Sequence, residues 1–281
     1  MTMTHEPDPP LARTVTPAWL SEALQSGGDF VVLDVRFSPG QPGRRESFLA
    51  GHVPGARYID LPTELADPVA RQKGRGSNPL PQPDHLQQTL RRLGVSATAT
   101  VIAYDDTNGA PAARAWWVLV WAGLADVRVL EGGLKAWVAE GGLLAKGEAN
   151  VEEPGNVELA PGRLPHVDVD AVLQVANHAT LVDARPADNF AGPTGGHIPG
   201  ARSFPANQVL DAHGRFIEAE VLRDRLSAAG IDPDRPIVAY CGGGVAASLL
   251  TFGLDRIGAD VTFYPGSWSE WRLDPARPVE S

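Results

Sequence analysis

Cys241 is the only cysteine of the 281-residue chain, and it stands between Ile237-Val238-Ala239-Tyr240 and Gly242-Gly243-Gly244. Sulfur chemistry needs the thiolate, and a free cysteine is only a few per cent ionised at neutral pH. Consecutive glycines can turn backbone N–H groups inward around a sulfur, because glycine tolerates positive φ. Residues 245–257 carry helical apolar spacing, so the positive end of a helix would face the same point. The spacing predicts Cys241 as a nucleophile, with Gly242, Gly243, Gly244, Val245, Ala246 and Ala247 supplying the donors that hold its charge. The competing reading is a small buried hydrophobe, the commonest use of a lone cysteine.

These residues need an element to hold them. A β-branched run closed by glycines and followed by a helical pattern reads as strand, tight loop, helix. In the same half, residues 180–182 and 261–264 read as further buried strands, and 220–229 and 246–257 as helices. Gly258 reads as the stop of the last helix. This alternation predicts an α/β fold with a mainly parallel sheet flanked by helices. Reactive groups of such sheets lie beyond the carboxyl ends of the strands, which is where Cys241 falls.

The arrangement occurs twice. Val31-Val32-Leu33-Asp34-Val35-Arg36 returns as Leu181-Val182-Asp183-Ala184-Arg185, and Gly51-His52-Val53-Pro54-Gly55-Ala56-Arg57 as Gly196-His197-Ile198-Pro199-Gly200-Ala201-Arg202. Val101-Ile102-Ala103-Tyr104 matches Ile237-Val238-Ala239-Tyr240, and Glu131 to Trp137 matches Pro265 to Trp271. Four anchors in one order indicate a duplicated domain. The expected division is a domain over 13–142, a linker over 143–165 rich in Gly, Glu, Pro and Ala, and a second domain over 166–275. Asp105 occupies the position of Cys241 in the first half, in a loop two residues longer. A carboxylate can cap a helix but is no sulfur nucleophile, so only the second half can be catalytic through a thiolate.

Composition narrows the partners. A net charge of −10 without a basic cluster argues against nucleic acid or an anionic membrane surface. No stretch reaches the roughly 18 consecutive apolar residues of a membrane span. Residues 1–10 are polar and proline-rich, with no apolar signal core. One cysteine excludes an intramolecular disulfide framework or a cysteine-rich metal site, and a reducing cytoplasm is the expected compartment.

Together the Asp-x-Arg strand ends, both Gly-His-(Val/Ile)-Pro-Gly-Ala segments, the Cys241 loop and the Gly-(Gly/Ser)-(Leu/Trp)-x-x-Trp endings resemble the tandem-domain sulfurtransferases of the rhodanese family, over roughly residues 13–273. The resemblance implies two tandem rhodanese-like domains, the first inactive and the second forming a persulfide on Cys241. It implies a small anionic sulfur donor, thiosulfate or 3-mercaptopyruvate, a thiol or cyanide acceptor, and no metal or organic cofactor. The loop Cys241-Gly242-Gly243-Gly244-Val245-Ala246 is similar to the Cys-Gly-Ser-Gly-Val-Thr of mercaptopyruvate enzymes but lacks both hydroxyls. The family's gripping Arg is replaced by Asn189, and a His often found before Pro-Leu-Pro by Asn78.

Arg185 is the candidate to bind the donor in place of that Arg, against the alternative that it braces its loop by pairing with Asp183. Arg75 and Arg114 are further candidates. His52 and His197 occur in both halves, which favours a turn-holding role. Trp116, Trp117, Trp121 and Trp137 are expected in the core and the domain interface. Two rival classes stand beside the transferase. A Cys-x5-Arg phosphatase needs a cation where this chain has Ala247 and Ser248. A persulfide carrier or redox-sensing module would use Cys241 without small-molecule turnover.

Overall fold

The computed structural model describes residues 13–41, 44–151, 153–191 and 195–281; the polar stretch 1–10 lies outside them. Two sheets are built from short, β-branched, almost fully buried strands. The first contains β1 (Thr14–Val15), β2 (Phe30–Asp34), β3 (Arg57–Tyr58), β4 (Thr100–Tyr104) and β5 (Val127–Leu130), in the order β1-β5-β4-β2-β3. The second contains β6 (Thr180–Asp183), β7 (Arg202–Ser203), β8 (Ile237–Tyr240) and β9 (Val261–Phe263), in the order β7-β6-β8-β9. Every strand pair is parallel, and the duplication is exact in register at the site: Asp34 lies opposite Tyr104 as Asp183 lies opposite Tyr240. His166 bridges Phe263 where β1 pairs with β5 in the first sheet.

Helices cover both sheets, and the two that matter follow the paired loops. The helix Ala110–Trp121 is buried along its whole length, and Ala246–Arg256 is buried from Ala247 to Leu254. Small residues at their starts let the pair meet across the domain seam. Trp116 stands edge-on to Phe252 at 4.7 Å and Trp117 to Phe263 at 4.8 Å. One cluster of buried side chains runs from Val31 in the first sheet through both helices to Phe263 in the second. Each large side chain in it contributes about 1.5–3 kcal/mol, so the two halves are held as one packed unit.

The second-half elements fall near their expected positions. The helices are Ala219–Ala228 and Ala246–Arg256, and the latter ends at Gly258 with φ 72°. β9 stops at Phe263, yet Tyr264 still donates its N–H to Ala239 O at 2.9 Å. Residues 143–165 hold no helix or named strand among the described residues, but they are tied down. Ala145 exchanges both backbone hydrogen bonds with His52, and Val157 is buried against the first domain. Glu280 closes on His197 in the same way. His52 stacks on Phe48 at 4.0 Å and His197 on Phe190 at 3.7 Å, so both rings hold their turns.

Candidate active site

Cys241 follows directly on β8, and its side chain lies at the base of a cleft of about 940 Å3 between the two halves. It is 2% exposed, while Sγ accepts the Gly244 N–H at 3.1 Å. How the loop turns its amides inward can be traced carbonyl by carbonyl. In a trans peptide the C=O and the next N–H point in opposite directions, so pinning one outward aims the other inward. Cys241 O accepts from Trp268 N at 2.9 Å and Gly242 O from Ser269 N at 2.8 Å. Gly243 O accepts from Asn78 Nδ2 at 2.7 Å. Gly244 O accepts from Ser248 Oγ at 3.0 Å and from Arg114 Nη1 at 3.3 Å. The amides of Gly242, Gly243, Gly244 and Val245 therefore point away from these partners, and that of Gly244 reaches the sulfur. Among the described residues only that of Gly244 has a protein acceptor, and it is the sulfur.

Two of the four pinned carbonyls accept a hydrogen bond from the other domain, from Asn78 and from Arg114, the latter sharing its carbonyl with Ser248. Asn78 and Gly243, two separate departures from the family pattern, meet in the first of these bonds. A Cβ on Gly243 would lie 2.8 Å from Ser77 Cβ, so the first domain fills the space a serine hydroxyl would need. Ser77 N in turn donates to Ser269 Oγ at 2.8 Å and locks the seam.

Ser267 completes the setting. Its Oγ accepts the Cys241 N–H at 3.1 Å, donates to Tyr264 O at 3.0 Å and lies 4.0 Å from Sγ. Its φ of 55° makes it the one described non-glycine residue in the left-handed region, whereas the matching residue of the first half is Gly133, φ 58°. The second half keeps a strained backbone of order 1–3 kcal/mol at the position that brings a hydroxyl to the cysteine. The aligned endings show this serine against a glycine, but the sequence reading did not give it a role.

The equivalent loop of the first half carries its own anion. Asp105 is buried, and accepts from Thr107 N at 2.8 Å, Ala112 N at 3.1 Å, Gly109 N at 3.2 Å and Thr107 Oγ1 at 2.9 Å. Burial pushes its carboxyl up, against the amides of Ala112, Thr107 and Gly109 that pull it down. A second cleft of about 980 Å3 lies over Asp105 and shares Thr107, Asn108, Pro186 and Ala246 with the first.

Arg185 lines the Cys241 cleft but its charge is spent locally. Nε and Nη2 reach both oxygens of Asp183 at 2.6–3.0 Å, and Nη2 also donates to Gly196 O at 2.6 Å. Arg36 makes the same brace on Asp34 and Gly51, so the brace belongs to the fold. The halves differ at Nη1: that of Arg36 donates to Ser47 O at 2.9 Å, while that of Arg185 has no acceptor among the described residues. Of the two readings of Arg185, the brace on Asp183 is the one formed, as a neutralised pair whose Nη1 is left open toward the cleft. Asn189 also lines the cleft. So does Arg71, a cation the sequence reading missed, whose Nε and Nη2 reach only the carbonyls of Ser77 and Pro62, at 2.5 and 2.7 Å. Arg75 points instead to Glu270, 3.6 Å away. Among the described residues no cluster could hold a metal ion, and no helix is long and apolar enough to cross a membrane.

Comparison with known proteins gives the same frame. Residues 16–140 and 168–274 each match the model of the rhodanese-like domain. Mycobacterium tuberculosis SseB, which carries a thiosulfate sulfurtransferase name, is 40% identical over 274 residues, 94% of this chain and 95% of that one. A Pseudomonas aeruginosa protein with a 3-mercaptopyruvate sulfurtransferase name is 40% identical over 284 residues, 95% and 98% of the two chains. The crystal structure of SseA from Escherichia coli superposes with a TM-score of 0.80 at 30% identity, covering 92% of this chain and 99% of that one. The chain belongs to the rhodanese-like family, as a tandem pair of its domains, and is a sulfurtransferase.

Proposed function

We propose that the chain moves a sulfane sulfur from thiosulfate or 3-mercaptopyruvate to a thiol or cyanide through a persulfide on Cys241. The observation that carries this reading is the Gly244 N–H donated to Sγ at 3.1 Å, in a loop whose carbonyls from Cys241 to Gly244 are held by five hydrogen bonds. Such preorganised donors stabilise charge without rearranging as it moves. The Cys241 thiolate attacks the outer sulfur of thiosulfate; the new S–S bond forms as the old one breaks, and sulfite leaves with the electron pair. With mercaptopyruvate the C–S bond breaks instead, and pyruvate leaves after its carbanion takes a proton. Either way the outer sulfur of the persulfide inherits the negative charge, in reach of the amides of Gly242, Gly243, Gly244 and Val245. An acceptor thiolate or cyanide then takes that sulfur and returns the thiolate. Ala246 and Ala247 begin the helix whose positive end faces the same point.

An anionic donor needs a cation in the cleft, which Arg71 supplies, while the open Nη1 of Arg185 offers a hydrogen-bond donor. The burial of Cys241 at the cleft floor favours small donors over a protein partner whose sulfur would have to reach that depth. The loop has no cation of its own to grip a phosphate, since Ala247 and Ser248 stand where a phosphatase needs Arg, and Arg114 lies on its outer, carbonyl side. The chemistry requires no metal or organic cofactor and suits a reducing, cytoplasmic setting. Steady-state kinetics with each donor, with cyanide as acceptor, tests the reading. Turnover with at least one donor is expected; no turnover with either, while a protein persulfide donor loads Cys241, contradicts it.

The first domain is a scaffold in this reading. Asp105→Ala strips the acceptor from one buried and two part-buried N–H groups, and is expected to lower stability by about 1–3 kcal/mol. Sulfur transfer by the folded variant stays within a few-fold of wild type. Thermal unfolding and rate measurements on the same sample check both halves of that expectation.

A further inference from the structure

We propose that Arg114, from the domain without a thiol, is a positioning residue that supplies the counter-charge for the sulfur anion of Cys241 across the domain seam. The inference rests on the assignment of Cys241 as the reacting sulfur. Arg114 is fully buried in the helix Ala110–Trp121. Its hydrogen-bond acceptors are all carbonyls: Gly244 through Nη1, and Leu65, Asn78 and Pro79 through Nη2, at 2.9–3.4 Å; its guanidinium also stands over the Phe263 ring at 5.9 Å. Nε is buried without a partner, and among the described residues no carboxylate lies within ion-pair distance. A buried guanidinium left without a counter-ion is strongly destabilising, and neutral carbonyls offset only part of that. Burial lowers its pKa to about 10, and Cys241 is the one charge that opposes the fall. The side chain is therefore still a cation at neutral pH.

The duplication shows that pinning a carbonyl is not the reason for the charge. Ser248 occupies the position of Arg114 in the second-half helix, and its hydroxyl already donates to the same Gly244 O at 3.0 Å. A hydroxyl suffices there, yet a guanidinium has been buried beside it. The path to the sulfur is short: Arg114 Nη1 is 3.3 Å from Gly244 O, and the Gly244 N–H is 3.1 Å from Sγ. The other ionisable groups around Cys241 are already committed. Arg185 is paired with Asp183, and Tyr240 stands beside that pair. Glu270, raised by burial, accepts from the Tyr264 hydroxyl at 3.1 Å and faces Arg75. Arg71, at the rim, is held by the carbonyls of Ser77 and Pro62. Arg114 is the cation that stays in place whether the site holds a thiolate or a persulfide.

The test is the rate of Cys241 alkylation by iodoacetamide as a function of pH, which needs no sulfur donor. Arg114→Met should alkylate about tenfold or more slowly at pH 7 and recover the wild-type rate at high pH, a profile displaced upward. Arg114→Lys keeps a charge and should restore most of the neutral-pH rate. Ser248→Ala loosens the same carbonyl without removing charge, and should change the rate equally at every pH. An Arg114→Met profile that superimposes on wild type overturns the proposal. Should that variant not fold, Arg114→Gln, which keeps N–H donors for the same carbonyls but carries no charge, decides: alkylation slowed at pH 7 as expected of Arg114→Met supports the proposal, and a wild-type rate overturns it. A slowed Arg114→Met beside wild-type protein that turns over neither donor would leave Arg114 assigned and the proposed donors refuted.

Discussion

Cys241→Ser is expected to reduce sulfur transfer at least about a thousandfold with either donor, because a serine hydroxyl is not ionised at neutral pH and cannot carry a transferable sulfur. The substitution is nearly isosteric. Ser267 Oγ still finds the N–H of residue 241, and the carbonyls of the loop keep their partners, so the fold is retained. The loss is therefore one of chemistry and not of structure, and should appear in kcat rather than in donor affinity. Circular dichroism and thermal unfolding on the variant, beside its rates, establish this. A folded variant that retains more than about a tenth of wild-type turnover contradicts the role of the sulfur.

Gly244→Ala has the second-largest expected effect, and for a different physical reason. Gly244 sits at φ 82°, and a Cβ there would lie 2.6 Å from Pro265 O and 3.5 Å from Arg114 Nη1. The left-handed conformation costs an alanine about 1–2 kcal/mol, and the contact with a backbone oxygen forces the loop to move as well. The N–H displaced is the one that donates to Sγ. Loss of one such preorganised donor typically costs about 10²–10³ in rate, and about a hundredfold fall in kcat/KM is expected. Gly242 is the contrast. Its Cβ would meet only Arg185 Cδ, at 3.9 Å, so Gly242→Ala should stay within about tenfold of wild type. Rates for the two variants side by side decide the matter; equal losses would mean that loop flexibility, and not the aim of the Gly244 amide, sets activity.

The parts of this protein legible in its sequence are those that short-range pattern determines. The apolar run before Cys241, the glycines after it and the helical spacing beyond reappear as β8, loop and helix, and the internal repeat places a second copy of each in the first half. The asymmetry between Asp105 and Cys241 was equally plain, and the structure adds why the first loop suits a carboxylate: its amides already surround one. What the sequence did not disclose was how the loop's carbonyls are held. Asn78 and Arg114 lie well over a hundred residues before the peptide groups they pin, and only the docking of two domains brings them there. Asn78 drew notice as a departure from the family pattern, while its bond to Gly243 O could not be seen.

At Arg185 the sequence left a substrate contact beside a brace on Asp183, and that Asp, two residues before it, captures most of the guanidinium, as Asp34 does in the half without a thiol. Arg71 carried no motif at all, and its place on the cleft depends on a short helix, Pro68–Gln72, capped by Asp67. Ser267 was hidden in a recognisable ending, Gly-Ser-Trp-Ser-Glu-Trp, because the left-handed backbone that makes it unusual leaves no mark on composition.

The central claim is that the sulfur of Cys241, met by the Gly244 amide, holds a second sulfur between donor and acceptor. Wild-type protein incubated with one equivalent of thiosulfate or mercaptopyruvate, freed of small molecules and analysed as peptides by mass spectrometry, reports on this directly. The account predicts a gain of about 32 Da, one sulfur atom, on the peptide containing Cys241, lost again on addition of cyanide. Donor consumed in a single turnover while that peptide keeps its original mass would contradict it.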